Sequence, residues 1–148
     1  QSIEPVRVLR TITPKICRTP NGELLIDAGE NIVGYVSFEL QLEAGQEVKL
    51  EYTETVDKEG NFLRNIIGQN KQQTDYYRCA KSGVCKWRPL FSFHGFQYVR
   101  ITGTDDTNPE HYRIDVIGTP LETTGEFTCS DPRLNQLQEI SCAPRSAI

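Results

Sequence analysis

The chain has 148 residues, room for one domain that buries roughly 70% of the surface its unfolded form exposes, so a core does not depend on metals or disulfides. Charged residues at 24% and hydrophobic ones at 37% exclude a disordered chain. The net charge of −4 argues against a nucleic-acid partner, and no apolar run nears the roughly 20 residues of a membrane helix.

Along the chain the dominant period is two. A strand is predicted over Val6 to Ile12, and the Pro20-Asn21-Gly22 turn leads to another over Glu23 to Asp27. From Ile32 the apolar positions alternate through Val36, Phe38, Leu40 and Leu42, with Ser37, Glu39 and Gln41 between them, the pattern of a half-buried strand. After a turn at Glu43-Ala44-Gly45-Gln46 the alternation resumes at Val48, Leu50 and Tyr52, and the pair is expected to form a β-hairpin. Asp57 to Asn61 is the next turn. Further strands are predicted over Thr74 to Cys79, Trp87 to Phe93, Gln97 to Thr102 and Tyr112 to Ile117, with turn chemistry at Lys81-Ser82-Gly83 and Gly103 to Pro109. Many short strands with frequent turns point to a sandwich or a barrel. Neither a strand–helix–strand alternation nor a phosphate-cradling glycine motif is present, which excludes the common nucleotide-binding patterns.

The last twenty residues change character. Ser130-Asp131-Pro132 reads as a helix start, with the Ser130 hydroxyl as cap and an acid and a proline in the first turn. Leu134, Leu137 and Ile140 then lie on one stripe. Pro144 is expected to end that helix, leaving a stripe without a local partner. The chain has no methionine and opens on Gln1, as expected of a processed or excised piece.

Five cysteines are present: Cys17, Cys79, Cys85, Cys129 and Cys142. The odd count leaves one unpaired, and with no basic-then-apolar leader the expectation is a reducing, cytoplasmic setting. Cys79 and Cys85 flank a short turn, so a disulfide between them is geometrically conceivable. No CxxC occurs, and His94 and His111 lie away from the cysteines, so neither a metal nor another cofactor is expected. No Asn-x-Ser/Thr sequon is present.

Several segments, in order from about Pro5 to Gln138, resemble those of bacterial α-L-rhamnosidases. They are Leu25 to Tyr35 with its D-x-G-x-N-x-x-G pattern, Asp57 to Phe62, Gln73 to Tyr77, Trp87 to Ile101 and Gly125 to Asn135. The resemblance implies an all-β fold, an antiparallel β-sandwich of jelly-roll or concanavalin-like type with a short C-terminal helix. It implies a sandwich domain over residues 1–129, and over 130–148 the start of a linker helix leading to a catalytic (α/α)6 barrel, the expected partner. The acidic motif of that barrel, of the type D-x-P-x-D-C-P-Q-R-D-E, does not occur here, and Ser141 to Ile148 departs from the family pattern. The implied role is a non-catalytic module of an inverting hydrolase of terminal α-L-rhamnose. The alternatives are a module binding rhamnose-containing saccharides and an independent glycosidase.

Weighing residues for these roles, an inverting site needs two carboxyls roughly 6.5–9.5 Å apart. Asp105, Asp106, Glu126 and Asp131 are available, but turns and helix caps are structural places for acids, so no catalytic residue is assigned. His94, in Phe-Ser-Phe-His-Gly-Phe, is expected to be a hydrogen-bonded histidine at a strand kink, with Gly95 marking a bulge or bend. His111 has no nucleophile beside it. Phe91 and Phe93 are expected in the core. For sugar contact the candidates are Trp87 with Arg88, and Arg64 in a polar loop with Asn65 and Gln69 to Gln73. Leu134, Leu137 and Ile140 are the candidate domain interface.

Overall fold

The computed structural model of the chain describes residues 5–64, 73–120 and 124–146, with side chains as far as residue 139. Its strands are β1 (Arg7–Ile12), β2 (Lys15–Arg18), β3 (Leu24–Leu42), β4 (Glu47–Thr53), β5 (Thr74–Arg78), β6 (Gly83–Trp87), β7 (His94–Thr102) and β8 (Tyr112–Gly118). The chain ends in one helix, α1 (Pro132–Ser146).

Strand β3 is the spine. Sequence patterning separates Glu23–Asp27 from Ile32–Leu42, whereas the structure joins them in one strand of 19 residues. The Asp27 to Asn31 stretch is absorbed as a bulge: the register against β7 jumps between Asp27 and Ile32. Gly29 takes φ 83° there, and its N–H donates to Asp27 Oδ1 at 2.7 Å. A left-handed residue is cheap only for glycine, so a turn signature serves here as a bulge. The first half of β3 lies between β2 and β7, and the second half lies between β8 and β6. One layer is therefore β2, β3, β7, β4, β5, and the other is β1, β8, β3, β6. The two layers close face to face as an antiparallel β-sandwich.

Alternation along β3 and its neighbours fills the space between the layers. Ile26, Val36, Leu40, Val48, Leu50, Phe96, Val99 and Ile114 are all essentially inaccessible, and burial of such side chains supplies the main favourable free energy of the fold. Gly34 sits where β3, β7 and β8 meet, paired with both Val116 and His94. A Cβ there would collide with the Asp115 carbonyl oxygen and lie 3.2 Å from Val116 Cα.

Four expectations are corrected. The first is the hairpin: among the described residues β3 and β4 share no ladder. β4 lies between β5 and β7, and the Glu43–Gln46 turn arches from one layer to the other. Alternation reports which face is buried, and it is the same for strands side by side or across the core. The second is the strand over Trp87 to Phe93: β6 ends at Trp87, and residues 88–93 form an irregular loop. Pro89 brings no N–H and disfavours regular pairing around Arg88. The aromatics it carries are consequently outside: Phe91 is 97% exposed and Phe93 60%. Third, Gly95 pairs regularly with Val33, and the irregularity falls on β3 instead. Fourth, α1 runs through Pro144 to Ser146, where the proline forfeits a main-chain bond only in the last turn. The short strand β2, with Ile16 as its lone apolar residue, gave no periodic signal.

Candidate functional site

The Trp87–Phe93 segment organises the surface that carries the sequence candidates. Trp87, at the end of β6, is half-buried rather than free, with its ring 5.3 Å from Phe38 and 6.0 Å from Tyr77. A cleft of about 440 Å3 beside it is lined in part by Glu39, Lys86, Trp87, Arg88, His111 and Arg113. A second groove, lined in part by Tyr76, Leu90 and Phe91, shares Trp87 and Arg88 with the first. The two candidates Trp87 and Arg88 thus stand together at one cleft, while Arg64 does not join them.

The loop is anchored by a residue with no catalytic pattern in the sequence. Asp75, on β5, accepts from Ser92 Oγ at 2.9 Å through one oxygen. Its other oxygen takes Tyr52 Oη at 2.9 Å and faces His94 Nε2 at 3.1 Å. Burial pushes the Asp75 carboxyl up, but hydrogen bonds from His94, Ser92 and Tyr52 more than offset it and hold it below the usual range. Burial and the Asp75 charge push the Tyr52 phenol far above its ordinary value, so it remains a donor. His94 stacks on Tyr52 with ring centroids 4.1 Å apart. Its Nε2 is turned to the Asp75 carboxylate, and the Ser92 and Tyr52 hydroxyls donate to that carboxylate and not to the imidazole.

Arg64 belongs to a second cluster. Glu51, buried on the outer face of β4, pairs with Arg64, with Lys49 Nζ at 3.0 Å and with Arg100 through Nε at 2.9 Å and Nη2 at 2.7 Å. Arg100 also reaches Glu23 at 2.6 Å and lies 4.3 Å over the Phe62 ring. Burial again raises the Glu51 carboxyl, and its hydrogen bonds to Lys49 and Arg100, with their charges, bring it below normal. Asn65 and Gln69 to Gln72 lie outside the described residues.

Three of the four acids considered for hydrolysis, Asp105, Asp106 and Asp131, are engaged in local structure. Asp105 pairs with Arg18 at 3.0 Å, and Asp106 holds His111 Nδ1 at 2.8 Å and the Asn108 N–H at 2.9 Å. Asp131, not Ser130, caps α1: its Oδ1 accepts the Arg133 N–H at 3.0 Å, and Pro132 takes the first helical position. Hydrogen bonds from Arg133 depress the Asp131 carboxyl. Glu126 is exposed. Among the described residues no three His, Cys, Asp or Glu side chains group as metal ligands would, and no helix is long and apolar enough to cross a membrane. On α1, Leu134 is 48% and Leu137 59% exposed; the Ile140 side chain lies outside the described residues.

Neither cluster was found from sequence. The signal for Glu51 was an acid on β4 and an Arg on β7, which becomes a pair only once Glu51 and Arg100 are in register.

With this geometry in place, comparison with known proteins is direct. Residues 17–119 match the family model of the bacterial alpha-L-rhamnosidase concanavalin-like domain. An Alpha-L-rhamnosidase of Alteromonas sp. (strain LOR) is 32% identical over 91% of this chain, but the match covers 15% of that protein. One from Streptomyces avermitilis is 31% identical over 90% of the chain and 13% of its own length. Among solved structures, an alpha-L-rhamnosidase from Dictyoglumus thermophilum superposes with a TM-score of 0.80 at 28% identity, covering 94% of this chain and 16% of that one. The Streptomyces avermitilis enzyme complexed with L-rhamnose gives 0.74 at 29%, over 92% and 13%. The chain spans about 15% of the length of the curated relatives it matches. It belongs to the bacterial alpha-L-rhamnosidase concanavalin-like domain family.

Proposed function

We propose that this chain serves as the non-catalytic β-sandwich of a larger α-L-rhamnosidase-like hydrolase, packing against the catalytic (α/α)6 barrel of the same protein. The carrying observation is that the chain matches only 15% and 13% of the length of relatives bearing that activity. The exposed apolar side chains Leu134 and Leu137 on α1 support a domain contact there. The local pairing of Asp105, Asp106 and Asp131 supports a structural role for these acids. The test is turnover of an aryl α-L-rhamnoside by this chain alone and by the full-length protein. No release by the chain and release by the full-length protein is expected; release by the chain alone would overturn the proposal.

A second reading, direct contact with rhamnose-containing saccharides, is favoured by one observation: Trp87 and Arg88 share a cleft. Arg64 would have to leave Glu51 to take part. Chemical-shift titration with methyl α-L-rhamnoside should perturb Trp87 and lose that response in Trp87→Ala. An unperturbed Trp87 would end this reading.

A further inference from the structure

Two turns meet at one corner of the sandwich, where the chain passes between layers. The first, Glu43–Gln46, carries β3 to β4, and the second, residues 79–83, carries β5 to β6. They are bound together: the Gly45 N–H donates to the Cys79 carbonyl at 2.7 Å, and the Cys79 N–H donates to the Gln46 carbonyl at 2.8 Å. Ser82 Oγ donates to Glu43 Oε2 at 2.7 Å and accepts the Ala44 N–H at 2.9 Å. Cys79 therefore has both main-chain groups fixed on the β4–β5 side. Cys85 is fixed on the other side by the β6 ladder, opposite Leu40. Their thiols are buried, Cys79 at 1% and Cys85 at 8% exposure, and their sulfurs face each other at 2.8 Å. That is closer than ordinary non-bonded sulfur contact, between two backbones already held in place.

We propose that Cys79 and Cys85 are an oxidation site, converted by a small-molecule disulfide of the glutathione class to an internal disulfide that staples the two layers. Both cysteines are free thiols here. In the first step the Cys85 thiolate attacks one sulfur of the oxidant, forming a mixed disulfide and releasing one small thiolate. In the second, the Cys79 thiolate attacks the Cys85 sulfur, forming the internal bond and releasing the second small thiolate. The two thiols give up two protons to solvent and two electrons to the oxidant, which leaves as two thiols once protonated. Cys85 is the entry point because it is the more accessible of the two. Closing five residues into a ring removes conformations from the unfolded chain and leaves the native corner in place.

The test is equilibration of the protein with oxidised and reduced glutathione in graded ratios, followed by denaturing alkylation and peptide mass analysis. A parallel sample is refolded from urea in the same mixtures, so that burial cannot block reaction. The expected product is a peptide joining residues 79 and 85, two hydrogen atoms lighter than the dithiol and restored by excess reduced glutathione. Its formation should raise Tm by about 5 °C, a shift absent in Cys85→Ala and kept in Cys17→Ser. Free thiols at both positions in both samples would overturn the proposal. So would a persisting glutathione adduct, or pairing of either residue with Cys17, Cys129 or Cys142.

Discussion

Glu51 and Asp75 show what a carboxylate needs in order to stay charged inside a sandwich wall. Their side chains are 3% and 10% exposed, and an unpaired charge in such a place would be neutralised. Glu51 is held by guanidinium and ammonium groups, Asp75 by a phenol, a hydroxyl and an imidazole. Both carboxyls end below their ordinary values. The native groups hold protons less tightly than the unfolded chain does. The stability they supply is therefore complete above the unfolded pKa of about 4 and is lost as pH falls through the native values. Urea midpoints should stay level from about pH 7 to about pH 5 and fall below about pH 4. At neutral pH Glu51→Gln should cost about 3 kcal/mol, because Arg100 and Lys49 lose a buried partner. Its acid limb should also be shallower than the wild-type one, as should that of Asp75→Asn. Parallel acid limbs in all three proteins would show that other groups carry the dependence.

At the level of elements, β3 and β8 approach each other closely at Gly34. Gly34→Ala places a methyl against the Asp115 carbonyl, so β8 must shift or the ladder must open, at a cost of about 2 kcal/mol. Gly125→Ala, where a Cβ meets nothing within 4 Å, is the matched comparison and should be near neutral. Equal urea midpoints for the two variants would refute the close approach. The same elements show how far patterning alone reaches. Alternation through Val36, Phe38, Leu40 and Leu42 marks the buried face of β3 correctly, because a pleated strand turns every second side chain inward. It carries no information on whether β4 lies beside that strand or across the core, and β4 lies across. Phe91 and Phe93 alternate as well, but Pro89 keeps their segment out of any ladder, so they point outward. The Asp75 hub joins residues from β4, β5, β7 and the loop, a meeting that depends on topology and leaves no mark in local sequence. The cleft at Trp87 and Arg88 was legible only because those two candidates are adjacent in the chain.

For the molecule as a whole, five of the exposed apolar side chains lie on two features outside the core: Leu90, Phe91 and Phe93 in the loop, and Leu134 and Leu137 on α1. Contiguous exposed apolar surface marks an interaction face more often than an accident. The loop is fixed at Ser92 through Asp75, which presents its aromatics in one geometry, and a prearranged surface loses less freedom on binding. If the proposed packing on a catalytic barrel uses this surface, the consequences of substitution divide cleanly by context. Phe91→Asp removes a side chain that is 97% exposed, so the urea midpoint of the chain alone should shift by no more than about 0.5 kcal/mol in free energy. In the full-length protein the same change puts a charge into an apolar contact. There it should accelerate thermal loss of α-L-rhamnosidase activity several-fold while the chemistry stays distant from the substituted residue. Leu137→Asp should behave the same way if α1 shares the contact. An unchanged inactivation rate for Phe91→Asp would place the barrel elsewhere on the sandwich, and a large loss of stability in the chain alone would show that the loop supports the fold itself.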